Sequence, residues 1–109
     1  SGTMIDWGRI EELRTEVGED DFAEVIEMFL DEASEVIERI CEGATDSLAE
    51  DLHFLKGSAL NIGFARLSII CRDAERLMER TPADDVDVAS IRQSFEASRV
   101  AFAERLLAG

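Results

Sequence analysis

Proline occurs once in this sequence and tyrosine not at all, and there is a single histidine and a single lysine. β-Branched residues do not cluster in alternating runs, so nothing argues for a sheet. Cysteine is limited to Cys41 and Cys71, at apolar helical positions and without C-x-x-C spacing. Both are read as buried, reduced thiols with no functional role. No apolar run approaches the ~20 residues that span a bilayer, and no basic stretch followed by an apolar one opens the chain. Positive charge is scarce as well: 11 Lys and Arg stand against 25 Asp and Glu, a net charge of −14. A duplex binder needs a basic footprint to displace counterions, so nucleic acid is excluded as a partner. Anionic membrane surfaces are disfavoured for the same reason, and the expected location is the cytoplasm.

What is present is material for one helical core. The chain has 109 residues, 46% of them hydrophobic and 33% charged, which fits one domain. Ala, Leu, Glu and Arg dominate, and all are good helix formers. Ser1 to Thr3 read as an expression scar before Met4, with 4–109 as a single domain.

Five helical segments follow from periodicity and punctuation. The first runs from about Asp6, a plausible N-cap, to Val17, with Trp7, Ile10 and Leu13 as its stripe and Gly18 as its stop. The second carries Phe22, Val25, Ile26, Phe29, Leu30, Ala33, Val36, Ile37, Ile40 and Cys41, whose spacing traces one helical face. Asp21 with Glu24 resembles a capping-box start, and Gly43 ends the run. The third opens at Ser47, paired with Glu50, and continues through Leu48, Leu52, Leu55, Ala59 and Ile62 to Gly63. The fourth carries Leu67, Ile70, Cys71, Ala74, Leu77 and Met78 and ends before Thr81-Pro82. After an acidic loop through Asp84 and Asp85, the fifth is capped near Asp87, with Ile91, Phe95, Phe102 and Leu106 facing inward. Long amphipathic helices on short loops pack as antiparallel neighbours. The expected fold is all-α, an antiparallel four-helix bundle with a short additional N-terminal helix over one end.

The only histidine and the only lysine lie three residues apart on the third helix. At ~100° per residue, His53 points roughly 140° away from the stripe of Leu52, Leu55 and Ala59. Gly57, one turn on, lies almost opposite the core. Glycine inside a helix costs about 1 kcal/mol relative to alanine, and an outer face gives no packing reason for it. It makes sense where another protein must approach the imidazole. Phe54 and Leu60 also lean outward as an apolar rim, although Phe54 could instead lie under the first helix.

Charge is distributed to match. From His53 to Arg80 five basic residues (Lys56, Arg66, Arg72, Arg76, Arg80) face three acids (Asp73, Glu75, Glu79), a local charge of +2. The remainder of the chain carries −16. A positive zone beside an outward imidazole suits a phosphoryl group.

The run His53-Phe54-Leu55-Lys56-Gly57-Ser58-Ala59, with Asn61, Gly63 and Arg66-Leu67 after it, resembles the core motif of histidine phosphotransfer (HPt) domains of bacterial two-component phosphorelays. The resemblance covers 53–77 by motif and the rest by helix count and length. It implies a four-helix bundle in which His53 is phosphorylated at Nε2, Lys56 lies near the phosphoryl oxygens and Gly57 clears space for the receiver. Glu75 falls where the family often has a polar residue bonded to the imidazole, which assigns it the orienting role. Phe54, Leu60, Asn61 and Arg72 are the expected docking rim. The implied partners are response-regulator receiver domains and a hybrid histidine kinase, with the chain a monomer.

Imidazole titrates near pH ~6.5 and is a mostly neutral nucleophile at neutral pH. The chain has no G-x-x-x-x-G-K loop and no kinase-like glycine loop. It is therefore expected to be a phosphocarrier without kinase activity, binding no cofactor of its own, with magnesium on the receiver. The competing reading is a partner-binding bundle whose His53 is inert. A metal site is disfavoured by a single histidine and two separated cysteines, and a hydrolase by the lack of a nucleophile–His pair with a third member.

Overall fold

Hydrogen bonds at three helix starts fix where the chain turns into each element. Asp6 Oδ1 accepts from the backbone N–H of Arg9 at 3.1 Å, Ser47 Oγ from that of Glu50 at 3.3 Å, and Asp87 Oδ1 from that of Ser90 at 3.1 Å. Each satisfies one of the donors a helix leaves unpaired, an effect of about 1 kcal/mol. A computed structural model describes the backbone of residues 3–108 and the side chains of residues 3–106; Ser1 and Gly2 of the expected expression scar lie outside the described residues. The elements are α1 (Trp7–Val17), α2 (Glu19–Cys41), α3 (Leu48–Asn61), α4 (Ala65–Met78) and α5 (Val88–Ala108), with a 3-10 turn at Ala83–Asp85 in the acidic loop. Among the described residues there is no strand.

The start of α2 departs from expectation. Asp21 is not its cap; the helix begins two residues earlier, at Glu19. Gly18, at φ +89°, closes α1 by donating its N–H to the Arg14 carbonyl and is at once the N-cap of α2. A left-handed glycine lets two helices share one boundary residue. Glu19, Asp20 and Asp21 then occupy the first turn of α2, where the helix dipole favours negative charge.

Contacts run α2 to α3, α3 to α4, α4 to α5 and α5 back to α2, closing a four-helix ring, with α1 packed on α2. Leu52 and Leu55 of α3, Leu67 and Cys71 of α4, and Ile91 and Phe95 of α5 meet at the axis, all fully buried. At one end Phe64, Phe95, Phe102 and Trp7 form an aromatic layer with ring centroids 6.1 to 6.3 Å apart, within the range where offset and edge contacts are favourable.

Two expectations are corrected. Leu106 does not join the inner face and is 47% exposed: the buried register of α5 is Ile91, Phe95, Ser98 and Phe102, and past Phe102 the side chain reaches only the rim of an open groove with Phe22 and Ile26. Cys41, at the last residue of α2, is only half-buried. Cys71 is buried, and desolvation pushes its thiol up to about 12, with the Glu75 charge adding to the shift; a thiol held so far from ionisation is a poor nucleophile.

The α3–α4 turn is held from outside. The N–H of Asp6 donates to the Gly63 carbonyl at 2.7 Å and that of Arg66 to the Met4 carbonyl at 3.2 Å. Arg9 Nε caps the end of α3 by donating to the Asn61 carbonyl at 3.1 Å. Gly63 has φ +76°, and a Cβ there would lie 2.7 Å from the Asp6 carbonyl oxygen. Only glycine lets the N-terminal segment lie this close. None of the described helices is long and apolar enough to cross a membrane.

Candidate functional site

The inner stripe of α3 fixes what its outer face shows. With Leu52, Leu55 and Ala59 sealed in the core, the helical period turns His53, Gly57, Leu60 and Asn61 outward. The His53 side chain is 74% exposed. A Cβ built on Gly57 meets nothing within 4 Å, so no internal packing demands glycine there. Phe54 is 39% and Leu60 56% exposed. Phe54 therefore lies on the exposed flank of α3.

The second helix of the site is α4. Glu75 Oε2 lies 3.5 Å from His53 Nδ1, and its other oxygen, Oε1, lies 2.9 Å from Lys56 Nζ. One half-buried carboxylate thus faces both the only imidazole and the only ammonium side chain. The Lys56 contact is one of charge, since no well-angled hydrogen bond reaches Oε1. A carboxylate opposite Nδ1 would favour the tautomer with its proton on Nδ1, in which Nε2 carries the lone pair.

Of the residues singled out in the sequence, His53, Lys56, Gly57 and Glu75 come together at this α3–α4 seam. Phe54, Leu60 and Asn61 surround it on the exposed face of α3. Arg72 is exposed on α4, one turn before Glu75, and is paired with Asp73 at 3.3 Å. The sequence reasoning did not find that Lys56 is engaged by Glu75 in the resting site, because the register of α3 against α4 is not written in either helix alone. Among the described residues no group of three His, Cys, Asp or Glu side chains could hold a metal ion.

The bundle thus displays the imidazole of His53 on an open face of α3, with the Glu75 carboxylate 3.5 Å from its Nδ1. The Hpt domain model matches residues 24–106, and the chain belongs to that family, whose members perform histidine phosphotransfer in phosphorelays. Comparison with curated proteins and with solved structures gave no match.

Proposed function

We propose that His53 accepts a phosphoryl group from the phosphoaspartate of one receiver domain and passes it to another in a multistep cytoplasmic phosphorelay. The observation that carries the reading is the pairing of a 74% exposed imidazole with a carboxylate 3.5 Å from its Nδ1. In the transfer the aspartyl O–P bond breaks as an N–P bond forms at Nε2. The receiver's carboxylate leaves with the bonding electron pair. The proton on Nδ1 stays in place, so the ring gains one positive charge, which Glu75 balances. Lys56, held beside the ring by the same carboxylate, has its ammonium available for the equatorial phosphoryl oxygens. Gly57 leaves the backbone bare where the receiver must close in, and magnesium is assigned to the receiver's own aspartate site.

The test mixes the protein with a panel of phosphorylated receivers and maps the acid-labile adduct. Phosphate on His53, and its complete loss in His53→Gln with an unchanged melting temperature, is the expected result. Label retained in that variant, or no label with any receiver, overturns the assignment and leaves a partner-binding bundle with an inert histidine.

A further inference from the structure

Two ridges of opposite charge border the histidine face, and their placement follows from contacts across the bundle. On one side, Arg39 of α2 pairs with Asp51 of α3 at 2.9 Å. Residues 4 and 7 before Arg39 lie on the same flank of α2, and residue 3 after Asp51 on the same flank of α3. In antiparallel helices the two stripes run side by side, so Glu35 and Glu32 follow Phe54 along the seam. Glu35 also acts on the Arg39 charge. Glu32 and Glu35 are exposed and belong to a run, Glu19 to Glu38, with nine acids and no basic residue. Across His53, the outer side of α4 presents Arg72 and Arg76, both exposed. Arg72 pairs with the neighbouring exposed Asp73, a contact of little worth in water. Between the ridges lie Phe54, His53 and Gly57.

We propose that this two-sided field orients the incoming receiver: it docks with a cationic surface over Glu32 and Glu35 and an anionic surface over Arg72 and Arg76. The inference rests on the phosphotransfer reading and adds which partner surface fits. Opposed charges across a small interface fix register and raise the encounter rate, because the partner turned the other way meets like charge on both sides. A face of one sign would select by net charge and leave orientation to shape alone.

The experiment measures phosphoryl transfer to His53 from whichever receiver in the panel transfers fastest, at low and at high salt. The variants are Glu32→Lys with Glu35→Lys, and Arg72→Glu with Arg76→Glu. Oriented docking slows transfer about tenfold in both variants at low salt, and ~0.5 M salt largely removes the difference. Attraction or repulsion by net charge moves the two variants in opposite directions, and that outcome, or rates equal to the parent in either variant, overturns the proposal while leaving the phosphotransfer reading intact. Absence of transfer from every receiver removes both. Thermal melts of the variants confirm that the fold is kept, since all four positions are on the surface.

Discussion

α3 and α5 each hold a feature that works against the helix, and they hold it on opposite sides. On α3 it is Gly57, outside, where a side chain would meet nothing within 4 Å. On α5 it is Ser98, inside and fully buried, whose hydroxyl, like that of Ser94 one turn earlier, has no hydrogen-bond partner among the described residues. Buried unsatisfied groups are costly, but small side chains let helices approach closely in the core, so the serines have a packing explanation. No such explanation exists for Gly57. A locally unfavourable residue facing solvent points to a partner; the same kind of residue facing the core points to the neighbouring helix.

The comparison breaks most visibly between the two faces of α3 itself. Leu55→Ala empties a site with no exposure and is expected to cost about 3 kcal/mol, whereas Leu60→Ala, 56% exposed, leaves the melting curve within about 0.5 kcal/mol and slows transfer instead. Denaturant titration of both variants beside transfer rates would separate them; equal destabilisation would erase the distinction between faces. Next comes Gly57→Gln, expected to raise stability by about 0.5–1 kcal/mol through helix propensity and to lower transfer from the receiver. A variant more stable and as fast as the parent would deny the glycine its role. Ser98→Ala is expected to raise stability by up to about 1 kcal/mol with transfer unchanged, read from the same two assays.

The smallest effect concerns acid. Burial raises the Asp51 carboxyl, but hydrogen bonds from Arg39 and Thr45 outweigh it and hold the group below the ordinary range. The hydrogen bonds from Ser90 lower Asp87. A carboxyl lowered in the folded state adds stability that is complete above its unfolded pKa near ~4 and disappears as pH falls through the lower folded value. Melting temperature should therefore begin to drop below pH ~4, and Asp51→Asn should flatten that drop by under about 1 kcal/mol. An unchanged acid profile in the variant would assign the decline to other carboxylates.

Much of this arrangement could be read in the residues beforehand, for local reasons. Asp6, Ser47 and Asp87 cap helices because a short polar side chain reaches an N–H two or three residues on, which needs no tertiary structure. His53 faces outward because the apolar period of α3 admits one phase. Leu106 defeated the same logic: periodicity says which way a side chain points, not whether a neighbouring helix extends far enough to cover it. The shared boundary at Gly18 escaped because the acids after it match a capping pattern equally well three residues later, at Asp21. The contact of Glu75 with both His53 and Lys56 depends on how far α4 slides along α3, a quantity set by the turn between them.

That turn sits far from His53 and Glu75. His53 is 10 residues before Gly63 and Glu75 is 12 after it, so at ~1.5 Å per residue the pair lies roughly 15–18 Å up two parallel tines. The N-terminal segment clasps the fork at its base, where a single added methyl would collide with the Asp6 carbonyl oxygen. Imidazole and carboxylate thus keep their spacing through a joint remote from either, and a lesion at the base is felt at the tips.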